Sequence, residues 1–185
     1  MANTSAQYDK AVQMCLTIFK QKNQDYGSAW RVLRTASLTD QLYIKAKRIR
    51  SVEEKGSSKV DEGILPEFIA LVNYSVMALV QLELGYSEDM HLPSKVSLEL
   101  YNKYIATAKG LMENKNHDYD EAWRNMRISS LTDLILQKIL RIKQIEDNNG
   151  KTVISEGIDA NYLDMINYAV FALIKMDEAE SKNNW

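Results

Sequence analysis

Lys22-Asn23-Gln24-Asp25-Tyr26-Gly27-Ser28-Ala29-Trp30-Arg31 returns, with three changes, as Lys115-Asn116-His117-Asp118-Tyr119-Asp120-Glu121-Ala122-Trp123-Arg124. The offset is 93 residues, and it persists outward from the motif. Arg34 falls on Arg127, Ser37-Leu38-Thr39-Asp40 on Ser130-Leu131-Thr132-Asp133, and Lys45 and Arg48 on Lys138 and Arg141. Between 22–49 and 115–142, 15 of 28 pairs are identical, so the chain reads as two fused copies of one unit. Further on, Glu62-Gly63-Ile64 meets Glu156-Gly157-Ile158 and Asn73-Tyr74 meets Asn167-Tyr168 at an offset of 94, which places one gained or lost residue in the intervening loop. Internal periods of this kind take precedence over any local reading of secondary structure.

The repeated unit is all-α. Tyr8, Ala11, Val12, Cys15, Ile18 and Phe19 follow the i, i+3, i+4, i+7 spacing of a buried helical stripe, and Tyr101, Tyr104, Ile105, Ala108, Leu111 and Met112 repeat it. A short helical connector follows the motif. The next helix is expected to start at Ser37 or Ser130, with a hydroxyl cap and an acid three residues on at Asp40 or Asp133, and to run to about 54 and 147. Turns at Lys55-Gly56-Ser57-Ser58 and Asn148-Asn149-Gly150-Lys151 lead into a third helix, roughly 62–84 and 156–178, apolar almost all round and hence central. Pro66 near its start loses little, because the first N–H groups of a helix have no internal partner. With seven glycines, two prolines and no strand alternation, the expected architecture is a tandem of three-helix units. Its divisions are a first repeat at 1–86, a linker at 87–97 and a second repeat at 98–185. The two are expected to form one compact body about a pseudo-twofold axis, as a duplicated unit replaces a symmetric dimer.

Composition narrows the function. Twenty-three basic and 25 acidic side chains give a net charge of -2, which argues against nucleic acid as the default partner. The lone Cys15 excludes an intramolecular disulfide and fits a reducing cytoplasm, where it reads as an inert core residue. Met1 to Ser5 lacks the basic and apolar regions of a signal peptide, and the apolar stretch from Phe68 to Leu82 is interrupted by Asn73, Ser75 and Gln81. The expectation is a cytoplasmic protein with no membrane association; self-association is left open.

Polar residues on the central helix are the informative exception. Glu156, Asp164 and Asn167, all placed on the third helix, would fall within an arc of about 80° on one face. Buried carboxylates need bases, a metal or water. Lys138 and Arg141 interrupt the apolar run of the preceding helix at i, i+3 spacing, as do Lys45 and Arg48 in the first repeat. One reading neutralises the acids inside the bundle. The other makes Glu156, Asp164 and Asn167 ligands for Mg²⁺, with Glu156 and Asp164 catalytic, Lys138 and Arg141 on phosphate, and a metal-bound water as attacking group. Because Asp164 is matched by Ala70 and Asn161 by Glu67, the second repeat is the expected home of the fuller site. In the motif itself Asn116 and Asp118 read as helix caps with Tyr119 and Trp123 packed across the inter-helix angle, or else Lys115 and Arg124 or Arg127, with Asp118 beside them, meet a phosphate while Tyr119 or Trp123 stacks on a base. Only His91 and His117 are present, and no zinc cluster, phosphate-cradling glycine loop or Ser-His-Asp set can be assembled.

At these residues the chain resembles nucleotide modification associated domain 1, a family of phage and bacterial proteins, and its tandem form resembles a group from the Bacteroidetes. The resemblance rests on Lys115-Asn116-His117-Asp118-Tyr119, Lys138-x-x-Arg141, and Glu156-Gly157-Ile158 followed by Asp164-x-x-Asn167-Tyr168. It covers each repeat nearly end to end. Where the family pattern carries a further acid between Glu156 and Asp164, this chain has Ala160, and Pro66 in the first repeat. More loosely, the arrangement is similar to all-α nucleoside triphosphate pyrophosphohydrolases of the MazG and dimeric dUTPase type, although their doubled acidic motif is replaced here by Lys138 and Arg141. The resemblance implies a nucleotide-binding protein of nucleotide metabolism or modification, extended in its strongest form to a Mg²⁺-dependent nucleotide phosphohydrolase. The alternative is a non-catalytic helical scaffold or adaptor.

Overall fold

The computed structural model describes residues 3–56 and 63–183. Six helices and no strand are found among them: α1 (Thr4–Tyr26), α2 (Thr35–Lys55), α3 (Leu65–Leu84), α4 (Ser94–Tyr119), α5 (Ile128–Asp147) and α6 (Ile158–Asn183). A single 3₁₀ turn joins α1 to α2 (Ala29–Val32) and α4 to α5 (Ala122–Asn125). The order helix, 3₁₀ turn, helix, helix therefore occurs twice.

The helix ends follow the local chemistry. Asn3 caps α1 through its side-chain oxygen, which accepts from the Ala6 N–H at 3.1 Å. Gly27 ends the same helix at φ 59°, a left-handed turn that glycine adopts without strain. The second repeat makes the corresponding turn with Asp120 and Glu121, at φ 50° and 55°. Asp118 is not a cap; it lies exposed in the last turn of α4, and Asn116 donates to the Met112 sulfur. Helices α2 and α5 start two residues before the expected serine caps. The chain is extended at Arg34 and Arg127, so the carbonyl of each takes the first helical hydrogen bonds directly, and no side chain caps either helix. The expected turn at 55–58 and the Glu62 match lie partly outside the described residues.

Helices α3 and α6 run together through the centre, buried along nearly their whole length by Phe68, Leu71, Val72, Met165, Ile166 and Val170 among others. By length and apolarity α3 could cross a bilayer, but two thirds of its apolar window is buried inside the protein. Helix α2 lies on α3 and α5 on α6, the two also meet each other, and α1 and α4 each cross both central helices. The connection from α3 to α4 is shorter than expected, because α4 begins at Ser94.

The two halves meet reciprocally. Tyr8 donates to Asn167 Oδ1 at 2.8 Å, and Tyr101, 93 residues on, donates to Asn73 Oδ1 at 2.8 Å. Each asparagine then donates to a carbonyl of the facing helix, Ala108 at 2.9 Å and Cys15 at 3.0 Å. Thr39 donates to Glu146 as Thr132 does to Glu53; Arg50 pairs with Asp133 as Lys143 does with Asp40; and Lys10 pairs with Asp177 as Lys103 does with Glu83. Contacts in which i meets j and the equivalent of j meets the equivalent of i are the mark of a twofold arrangement. The exposed ion pairs contribute up to about 1 kcal/mol each. The buried Tyr–Asn bonds matter more, since losing either partner strands a polar group in the core.

Candidate functional site

In the second repeat the polar stripe converges on Asp164. Lys138, reaching from α5, bonds one carboxylate oxygen at 2.7 Å, and Lys115, at the end of α4, bonds the other at 2.8 Å. Burial alone would raise the Asp164 carboxyl, but the two lysine hydrogen bonds outweigh it and hold it below the ordinary aspartate value. Partial burial correspondingly pulls the Lys115 ammonium down, yet Asp164 leaves it above the ordinary lysine value, with Tyr168 and Glu156 adding less. The acid is thus neutralised within the bundle.

The other expected ligands are elsewhere. Glu156 is exposed in the loop before α6, not on the helix, so the helical arc drawn through it does not exist. Asn167 is on α6, but both ends of its amide are committed to Tyr8 and Ala108, and it fastens the two halves instead of facing a ligand. Among the described residues no three His, Cys, Asp or Glu side chains converge as a metal would require. A magnesium centre needs free oxygen ligands, and Asp164 has a lysine on each oxygen. The residues present do not fit a Mg²⁺ site at Glu156, Asp164 and Asn167.

The motif residues of the second repeat are largely structural. Trp123 is 7% exposed and its ring lies flat on Phe171, with centroids 4.2 Å apart and planes within 3°. That stack leaves it no place for a base. Arg124 sits over the same indole and donates to Glu121, Glu178, Thr4 and Gln7, tying the second 3₁₀ turn to α1 and α6. Arg127 is exposed at the start of α5, Tyr119 and Asp118 are exposed, and Arg141 is half-buried near Tyr168. Of the expected residues Lys115, Lys138 and Asp164 form one cluster and Trp123 and Arg124 a separate stacked pair.

The open space is in the first repeat, contrary to the expectation from Asp164. A cavity of about 750 Å³ lies between α1, the first 3₁₀ turn and α3. Its mouth carries Lys22, Asn23, Tyr26 and Gly27, the first copy of the repeated motif, and its walls are apolar, with Trp30, Tyr74 and Met77 prominent. This size is that of a site for a small organic molecule. Lys22 has no ion-pair partner among the described residues, because Ala70 stands where Asp164 stands in the second repeat. Nearby on α2, Arg48 binds Glu67 at 2.5 Å and Lys45 lies 3.4 Å from the same carboxylate. One Arg48 nitrogen and one Glu67 oxygen are buried without a hydrogen-bond partner. Among the described residues Lys45 and Arg48 share the single Glu67 carboxylate, and Lys22 has none.

Sequence reasoning overlooked Ala70, Met77 and Trp30 as cavity residues. Their signal was present in the comparison of the repeats: Ala70 is smaller than Asp164, and flexible Met77 replaces the ring of Phe171.

Comparison with curated proteins gives no match, and neither does comparison with solved structures. The family described as nucleotide modification associated domain 1 matches at residues 22–82 and 115–176, more than half of the chain. Those segments begin at Lys22 and Lys115 and contain both 3₁₀ turns and the greater part of both central helices, and so most of the cavity residues of one half, with Met14, Ile18 and Phe19 of α1 preceding the match. The chain therefore belongs to the nucleotide modification associated domain 1 family, which it matches once in each half.

Proposed function

We propose that this protein binds a nucleotide or closely related phosphorylated small molecule in the cavity of its first repeat. The observation that carries the reading is the coincidence of the repeated Lys-Asn-x-Asp-Tyr motif with the mouth of a large apolar cavity. A heterocyclic base suits walls that include Trp30 and Tyr74, since every base has a π-face to stack. A phosphate suits Lys22 at the rim, with Lys45 and Arg48 on the adjoining helix adding positive potential. Membership of a nucleotide modification associated family agrees with this class of ligand. No hydrolytic step is assigned: Asp164 and Glu67, the buried acids described on the central helices, are held by lysines and arginine.

Thermal-shift and calorimetric titration with nucleosides and their mono-, di- and triphosphates, with and without Mg²⁺, test the reading. A melting temperature that rises with one class, and does so without added metal, is the expected result. Lys22→Ala should weaken the phosphorylated members selectively. A flat response across the panel would dismiss the proposal in favour of a helical scaffold.

A further inference from the structure

The two halves differ most informatively at two positions seven residues apart on the central helices. Ala70 and Met77 of α3 line the cavity and are partly exposed to it, whereas their counterparts on α6, Asp164 and Phe171, are both buried. Seven residues are two helical turns, so each pair shares one face and is separated by about 10 Å along the axis. In the second half these two larger side chains occupy the region corresponding to the cavity. Phe171 lies flat on Trp123, the counterpart of Trp30, and Asp164 bridges Lys115 and Lys138, the counterparts of Lys22 and Lys45.

We infer that the second half carries a built-in stand-in for the ligand of the first: Phe171 marks where a planar ring stacks on Trp30, and Asp164 marks where an anionic group bridges Lys22 and Lys45. This rests on the binding reading above and sharpens it. The ligand is a molecule with one flat ring system and one anionic group about two helical turns away, which describes a nucleoside monophosphate better than a neutral nucleoside. The chain then has one ligand site, not two, and the second half supplies a rigid, self-filled partner against which the first is held.

The surroundings agree with this assignment. Trp30 is only half-buried while Trp123 is buried, as expected if one indole face awaits a ring that the other already has. Lys45 lies 3.4 Å from Glu67, a looser contact than the 2.7 Å between Lys138 and Asp164, so it is the cation more readily drawn to an incoming anion. Arg48 remains on Glu67 at 2.5 Å and keeps that carboxylate neutralised when Lys45 moves.

The test exchanges the stand-ins one at a time and reads binding by calorimetry, using adenosine, guanosine, cytidine and thymidine and their 5′-monophosphates as probes. Ala70→Asp places a carboxylate between Lys22 and Lys45. It should weaken the best monophosphate on the order of tenfold or more, the loss of a charge-assisted contact, while leaving the parent nucleoside within about twofold. Met77→Phe places a ring on Trp30 and should weaken nucleoside and monophosphate alike. Both substitutions put into the first half what the second already accommodates, so folding is not at stake, and circular dichroism checks it. Wild type should bind with a stoichiometry of one. Binding by wild type with Ala70→Asp affecting both probes equally would overturn the inference while leaving the binding reading intact. A wild-type stoichiometry of two would do the same, and no binding by wild type at all would overturn both.

Discussion

Replacing Asp164 by asparagine isolates the electrostatic role assigned to it. The Asp164 and Lys138 side chains are 10% and 11% exposed, so the substitution leaves an almost buried ammonium facing a neutral amide. Breaking a buried pair from one side costs about 3–5 kcal/mol. The Lys115 side chain is 56% exposed, and its half of the bridge is screened by solvent and worth up to about 1 kcal/mol. Urea unfolding at pH 7 should therefore show Asp164→Asn losing several times more stability than Lys115→Ala, with an unchanged slope. The charge argument also fixes a pH dependence. The folded Asp164 carboxyl titrates below its unfolded value, so its contribution is complete above about pH 4 and is lost as pH falls through the folded value. Asp164→Asn should flatten that part of the acid-stability profile. Equal losses for Asp164→Asn and Lys115→Ala, or a profile unaltered by Asp164→Asn, would refute the assignment of Asp164 as a neutralised core acid.

Other expectations follow from the same interactions. Tyr8→Phe and Tyr101→Phe each strand an asparagine oxygen in the core and should cost about 1–3 kcal/mol in the same unfolding assay, to a similar extent because the two bonds are equivalent. Burial raises the Glu53 and Glu146 carboxyls above their ordinary range, more than their threonine hydrogen bonds lower them. Their stabilising contribution is full below about pH 4 and lost as pH rises through the raised folded values, so Glu146→Gln and Glu53→Gln should each raise the melting temperature at neutral pH. Cys15 is buried and its thiol is pushed up to about 12, so a thiol reagent should label it only as fast as the protein unfolds.

The fold was largely legible because its signals are local. The apolar stripe from Tyr8 to Phe19 and its echo from Tyr101 to Met112 needed only helical periodicity, and α1 and α4 carry them. The starts of α2 and α5 were misplaced, because backbone geometry at Arg34 and Arg127 began each helix without a side-chain cap. The site was less legible. Glu156 looked helical through its spacing to Asp164, but α6 begins only at Ile158, with the Gly157 carbonyl taking a first-turn hydrogen bond, and Glu156 stays in the preceding loop. Asn167 looked like a ligand because a polar residue on an apolar helix demands a partner, and that partner proved to be Tyr8, 159 positions distant along the chain.

The repeat, the helical class and the need for Lys138 and Asp164 to be answered by opposite charge follow from the amino acids in order, since periodicity, residue identity and the cost of burying charge are properties of the chain alone. Which half holds the cavity is a matter of how the helices pack. The acid that made the second repeat look like the fuller site is what closes it, and the alanine that made the first look deficient helps leave it open. Whether a side chain serves a ligand or stands in its place depends on which volume is already filled, and that is fixed by packing among helices distant in the chain, not by the spacing of residues along any one of them.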